Sequence, residues 1–304
     1  MIYRTHQSII DQAVQIGKKR FAVAGAESET LLQAVCQAYE MGIAEPVLIG
    51  NPVEIDRIAT ANSLHIDSLE IISVDSPEKA VETAVRLVSR GEADVLMKGL
   101  VSTKTFLHTV LKPEYGFRAS DYLSHIAMIE TPGYDKMILI TDGGMNIKPN
   151  LKEKIDILKN AIRMMHALDI PQPKVAVLTA VEKVDEKMPE TADASALAEL
   201  SRKGEFGDAL VEGPVSLDIA VSQRSAAIKG YQGKISGETD IFLVPDITSG
   251  NLLAKGLLYL GGGKSSGLIL GAAKPIVMLS RSDTVESRLN SIALSHVVSQ
   301  HSAR

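Results

Sequence analysis

The stretch ADVLMKGLVSTKTFL (93–107) decides the fold. Its first half is an apolar, β-prone run that ends in Lys98-Gly99. Its second half opens at Ser102-Thr103 and takes on helical spacing. A buried strand that turns directly into a helix is the building unit of a parallel sheet covered by helices. Working towards the N-terminus, the same alternation recurs. Short β-prone runs stand at FAVAG (21–25), PVLIG (46–50) and LEIISV (69–74). Between them TLLQAVCQAYEMG (30–42) and PEKAVETAVRLVSRG (77–91) carry helical periodicity, and each ends at a glycine.

Towards the C-terminus the pattern changes near residue 120. HIAMIE (125–130) and KMILIT (136–141) are two β-prone runs joined by TPGYD, which predicts a hairpin and a domain boundary. A long helix is expected over 151–168. VAVLTA (175–180), a helix through the 190s, DALVEG (208–213), DIFLVP (240–245) and a helix over 249–260 follow. IVMLS (276–280) and a terminal helix over 284–300 close the chain, while KGYQGKISGE (229–238) reads as a loop.

Composition narrows the function. The chain has 304 residues, 45% of them hydrophobic, enough for a large core and, by length, for two domains. A formal net charge of -5 gives no reason to expect nucleic acid or an anionic membrane as partner. The single cysteine, Cys36, rules out a disulfide framework and thiolate zinc sites, and reads as a small core residue. MIYRTHQSIIDQAVQIGKKR has no apolar leader core, and no stretch of about 18 apolar residues offers a membrane span. A cytoplasmic protein is expected.

Three short patterns fail in context. GKSSG (263–267) matches G-x-S-x-G, but the order here is helix then strand, the reverse of a nucleophile elbow. Gly263-Lys264-Ser265 resembles the end of a phosphate-binding P-loop, yet Leu258 stands where its first glycine should be. What survives is a glycine-rich turn whose amides could hold an anion. No G-x-G-x-x-G follows the early strands, and the seven histidines show no ligand spacing, so neither a dinucleotide nor a catalytic metal is expected. His125 reads as a packed residue.

Four constellations survive, each at the C-terminal end of an apolar strand, where open α/β sheets bind ligands. The first is Lys98 with Ser102 and Thr103, flanked by Lys104, at a helix start suited to an anion. The second is Asp142, two glycines and Asn146 in ITDGGMNIKPN (140–150). The third is Asp246, Ser249, Asn251 and Lys255 in IFLVPDITSGNLLAKGL (241–257). The fourth is Ser280, Arg281 and Asp283 in IVMLSRSDTVESRLN (276–290). Capping explains hydroxyls and carboxylates at such places. It does not explain Arg281, because a cation at a helix entrance opposes the helix dipole, whereas a guanidinium can hold a phosphate bidentately.

These segments resemble the phosphate acetyltransferase and phosphate butyryltransferase family. VPDITSGNLLAKGL is similar to its PDLNxGNxxYK segment and AKPIVMLSRSDT to its KPVxxLSRG segment. KGLVSTKTFL, TDGGMNIKPN and VEGPVSLDIAVS resemble its upstream blocks, in order over nearly the whole chain. GGGKSSGLILGAAKPIVMLSRSDT looks closest to the butyryltransferases. The resemblance implies two α/β domains with largely parallel sheets, on a fold shared with isocitrate and isopropylmalate dehydrogenases, and an active-site cleft between them. Residues 1–122 with 267–304 would form the first domain and 123–266 the second. It implies a metal-free reaction of short-chain fatty acid metabolism between butanoyl-CoA and phosphate, and a homodimer or larger even assembly. Ser280 matches the serine that bonds the acyl carbonyl, and Arg281 the arginine that holds phosphate. The aspartate that handles the coenzyme A thiol proton in the acetyltransferases falls, by counting, at Ser287, beside Glu286 and near Asp283. Arg118 in GFRASDY is a further cation for coenzyme A or phosphate.

Competing readings are a phosphate acetyltransferase, a β-decarboxylating dehydrogenase on a related fold, an acyltransferase for long acyl-carrier substrates and a non-catalytic sensor of coenzyme A or acyl phosphate. The dehydrogenase would need an acidic metal cluster and a dinucleotide site, and the long-chain enzyme a basic docking surface.

Overall fold

A computed structural model describes residues 4–300. It contains two compact units: His6–Asp121 with the chain from Ser266 onward, and Tyr122–Ser265.

In the first unit the chain lays down β1 (Lys19–Ala24), β2 (Ala44–Gly50), β3 (Glu70–Ser73) and β4 (Val95–Lys98). β1 pairs in parallel with β2 and β4, and β2 with β3. Helices Glu29–Glu40, Pro52–Ala61 and Pro77–Ser89 connect them, and proline at the first turn of the latter two suits a position that has no donor to lose. Asn51 and Ser76 cap those two helices with their side chains. Phe21, Val23, Leu96 and Met97 are almost wholly buried, as expected for strands covered on both faces.

In the second unit β5 (Ser124–Glu130) and β6 (Ile138–Thr141) form the expected antiparallel hairpin. They are followed by β7 (Lys174–Leu178), β8 (Leu210–Val215) and β9 (Ile241–Leu243). β6, β9, β7 and β8 then pair in parallel in that spatial order. Ile129, Ile140, Ala176, Ile219 and Phe242 share one buried core. The fold class is therefore α/β with largely parallel sheets.

The chain then runs through β10 (Lys264–Leu270) and β11 (Ile276–Val277). β11 lies beside β4 in parallel and beside β10 antiparallel, so it joins the first unit from far along the sequence. Here the sequence reading is corrected. GKSSG is largely strand β10: Ser266 Oγ bonds the His6 ring and the Gly267 N–H donates to Ser291 Oγ, so the anion-holding turn expected there does not form. LILGAAKPIVML (268–279) holds the end of β10 and the whole of β11, which run antiparallel on either side of the Gly271–Pro275 connection. Helices His6–Ile16, Leu217–Val221 and Gln223–Ile228 were not foreseen. Among the described residues no helix is long and apolar enough to cross a membrane.

The ends of β1 and β4 approach closely enough to exclude side chains. A Cβ on Gly99 would meet the Gly25 carbonyl oxygen at 2.0 Å and that of Ala24 at 2.9 Å. In the native chain Gly99 N–H instead donates to Ala24 O at 2.8 Å, and Leu100 N–H to Gly25 O at 2.7 Å. Gly99→Ala is expected to push these strand ends apart at a cost of about 1–3 kcal/mol. A lower urea midpoint at unchanged m-value would show it, and an unaltered midpoint would mean that the backbone yields freely.

Candidate active site

The C-terminal ends of β4 and β11 carry the first group of polar residues. Lys98 closes β4 and is only 5% exposed. Among the described residues its ammonium pairs with no carboxylate, and its one hydrogen bond, to Gly99 O, is long at 3.5 Å. Burial holds its pKa below the ordinary lysine value, and the positive charges of Arg281 and then Arg288 push the same way.

Past β11 the chain turns at Ser280–Asp283 before helix Val285–Ser299, whose cap is Thr284. Ser280 N–H donates to Asp283 Oδ2 at 2.5 Å, and its hydroxyl lies 3.1 Å from that of Ser282. Ser280 and Arg281 are exposed. Ser287 is drawn into the cap: its N–H donates to Thr284 Oγ1 at 3.1 Å, and its hydroxyl accepts from Thr284.

Beneath this turn lies a residue that the motif reading passed over. Arg288 is 5% exposed. Its Nε donates to Thr30 Oγ1 at 3.1 Å and its Nη2 to the Ser280 carbonyl at 3.2 Å. Burial depresses its pKa, while the charge of Asp283 acts the other way. One local signal was available. Arg57 and Arg86 face Glu54 and Glu82 at helical spacing, whereas Thr284, Val285, Ser291 and Ile292 surround Arg288 at that spacing.

Ser102 caps helix Thr103–Val110, accepting from Thr105 N–H at 3.0 Å, and Thr103 is the exposed first residue of that helix. Arg118 is exposed, in a segment whose Ala119 and Ser120 N–H groups donate to Gly271 O.

In the second unit the loop after β6 is organised by Asp142, which is almost fully buried. Its Oδ1 accepts from Gly144 N–H at 2.9 Å and Met145 N–H at 2.8 Å. Its Oδ2 accepts from His125 N–H at 2.8 Å and Asn146 Nδ2 at 2.7 Å. Asn146 also donates to Leu123 O at 2.9 Å, so its side chain is committed to shaping the loop. The start of helix Ile247–Tyr259 lies against this loop. A Cβ on Gly143 would meet the Gly250 carbonyl carbon at 2.7 Å, and Asn251 Nδ2 donates to Gly143 O at 3.3 Å. Asp246 caps the helix, accepting from both N–H and hydroxyl of Ser249 at 2.8 Å. Asn251 and Lys255 are exposed on its surface.

Buried cations with few carboxylates to meet them, at the ends of parallel strands, are the arrangement that open α/β enzymes use for anionic substrates. The chain belongs to the phosphate acetyl/butaryl transferase family, whose profile it matches over residues 5–84 and 73–296. It is 43% identical over 280 residues to the phosphate butyryltransferase of Clostridium acetobutylicum, covering 92% of this chain and 93% of that protein. It is 37% identical over 291 residues to the phosphate acetyltransferase of Thermotoga maritima, covering 96% and 98%. The crystal structure of a branched-chain phosphotransacylase from Enterococcus faecalis superposes with a TM-score of 0.81 at 33% identity, over 92% of this chain and 99% of that one. The chain is a phosphate acyltransferase.

The Asp246 cap yields a prediction with a defined pH sign. The hydrogen bond from the Ser249 N–H holds the Asp246 pKa below the ordinary aspartate value; burial opposes it, and the Ser249 hydroxyl adds a smaller lowering effect. A depressed folded pKa means that the cap stabilises fully above the unfolded value, near 3.9, and fades as pH falls through the folded one. Asp246→Ala is expected to cost about 1 kcal/mol at neutral pH. Denaturation of both proteins at pH 7 and at about pH 2.5 should show the gap narrowing; a gap that is constant with pH would contradict a charged cap.

Proposed function

We propose that the protein transfers a butanoyl group reversibly between coenzyme A and inorganic phosphate. The observation that carries this reading is the grouping of Lys98, Arg281 and Arg288 around the Ser280 turn. The 43% identity to the Clostridium acetobutylicum butyryltransferase, against 37% to the Thermotoga maritima acetyltransferase, supports the four-carbon acyl group.

Phosphate is a weak nucleophile towards a thioester unless held in line, and positioning supplies much of the rate. Arg281 and Lys98 hold the dianion and offset its charge. A phosphate oxygen attacks the thioester carbonyl, and the Ser280 hydroxyl donates to the oxyanion that develops. Collapse breaks the carbon–sulfur bond, giving butanoyl phosphate and the coenzyme A thiolate, which takes up a proton. In the reverse direction a base must remove that proton. Asp283, bonded to Ser280 N–H, is our assignment for it, since Ser287 is a serine engaged in the Thr284 cap. Both acyl carriers are activated, so no further energy source enters.

The helix start at Ser102 and Thr103, together with Arg118, is assigned to anionic groups of the substrates. From the second unit Asn251, Lys255 and Ser249 are assigned to polar parts of coenzyme A. Asp246 contributes by capping the helix that carries those groups, and Asn146 by shaping the loop to which Asn251 is bonded at Gly143. A homodimer or larger even assembly belongs to the same reading. The exposed Leu252 and Tyr259 of helix Ile247–Tyr259, with Leu260 just past its end, support it. A cytoplasmic location, where these substrates occur, belongs to the same reading.

The test is release of free thiol from butyryl-CoA. It should require phosphate, run faster than with acetyl-CoA, and fall roughly a hundredfold or more in Arg281→Ala and in Ser280→Ala. Release without phosphate would make the protein a thioesterase. Equal or faster release from acetyl-CoA would overturn the butanoyl assignment alone.

A further inference from the structure

Arg288 has no place in the reading above beyond its charge, yet its geometry is specific. β11 ends at Val277, so the Ser280 turn has no sheet ladder to hold it. What holds it are Asp283 and Arg288. The Asp283 carboxylate accepts the Ser280 N–H at 2.5 Å, the Asp283 N–H donates to the Ser280 carbonyl at 3.3 Å, and Arg288 donates to the same carbonyl at 3.2 Å. The other prong of the guanidinium is anchored on Thr30 Oγ1, at the start of helix Glu29–Glu40. Both backbone polar groups of Ser280 are thus fixed, the N–H by the residue three positions on and the carbonyl by that residue together with the one eight positions on. Fixing them fixes the backbone dihedrals of Ser280, and with them the direction in which its Cα–Cβ bond points.

A guanidinium at this depth is costly. Its hydrogen-bond partners are a hydroxyl and a carbonyl, which satisfy hydrogens without balancing a full charge. An apolar residue of similar volume would fill the space at less cost. The two-pronged donor is what such a residue lacks, and a planar fork is suited to joining two fixed acceptors.

We propose that Arg288 is a positioning residue of the transfer site: with Asp283 it clasps the backbone of Ser280 and aims the Ser280 hydroxyl at the acyl carbonyl. The proposal rests on the reading of Ser280 as the group that bonds the acyl oxygen. Arg288 itself acts from below the turn, through Ser280.

The experiment is steady-state kinetics on Arg288→Met, Arg288→Lys and Thr30→Val, each in the native and in the Ser280→Ala background. Arg288→Met should lower kcat roughly tenfold to a hundredfold, the scale of a misaimed group, with KM for butyryl-CoA changed less than about threefold. Arg288→Lys, which can reach one acceptor, should recover part of that loss. In the Ser280→Ala background Arg288→Met should cost little more, because residues that act as a unit are not additive. Equal losses in both backgrounds would overturn the proposal, as would an unchanged kcat. Should Arg288→Met fail to fold by circular dichroism, Thr30→Val decides: it should lower kcat several-fold in native protein and not in Ser280→Ala, and an unchanged kcat counts against the proposal. Wild-type turnover by Ser280→Ala would sink the reading of Ser280 itself. Collapse of Ser280→Ala with no effect at Arg288 would sink only the clasp.

Discussion

The first unit has to bury positive charge. Lys98 and Arg288 are both about nineteen-twentieths out of water, and each loses hydration that a few neutral acceptors do not replace. Their depressed pKa values record that cost. Local structure around them is arranged to bear it. The close approach of Gly25 and Gly99 fixes the end of β4, and β11 is brought in beside β4 from the far end of the chain. The Thr284 cap places Arg288 in the first turns of a helix that is buried nearly all round. In the proposed reaction an incoming phosphate would supply the missing negative charge, so the binding energy of the substrate would include what folding left unbalanced.

The carboxylates at the strand ends are used differently. Asp142 accepts four hydrogen bonds, and Asp246 and Asp283 each hold a backbone N–H. Their charge is spent on donors of their own loops, which lack ladder partners. The outcome is that these negative side chains shape the loops, while among the described residues the Lys98 ammonium pairs with no carboxylate. Few composition-level quantities would show this, since the chain as a whole carries a formal charge of -5.

The elements that periodicity predicts correctly are those in which local and tertiary demands agree. ADVLMKG is apolar because both faces of β4 are covered, and the hairpin at 125–141 carries its turn in TPGYD. Ser102 and Asp246 are legible as caps for the same reason. GKSSG misled because its small polar residues resemble a turn, while His6 and Ser291 satisfy them inside β10. The terminal helix expected over 284–300 is present, but its burial is not legible from the spacing of apolar residues, because Asn290, Ser291, Ser295 and His296 are buried alongside them. Arg288 is the sharpest case, since its role depends on Thr30, at the other end of the sequence. Asp142 was visible as a residue but not as the hub of a loop.

The returning strand has a consequence for how the protein is made. β4 leaves the ribosome with one edge filled by β1 and the other open, and the strand that covers it, β11, is roughly 180 residues away, on the order of ten to forty seconds at ordinary rates of synthesis. Over that interval an apolar strand edge stands unpaired, the condition that invites association between nascent chains. The intervening unit, continuous in sequence, can complete its own sheet during the wait. Translation thus imposes an order in which the later-encoded unit matures first, and the cationic end of β4 is finished only as the last helix emerges.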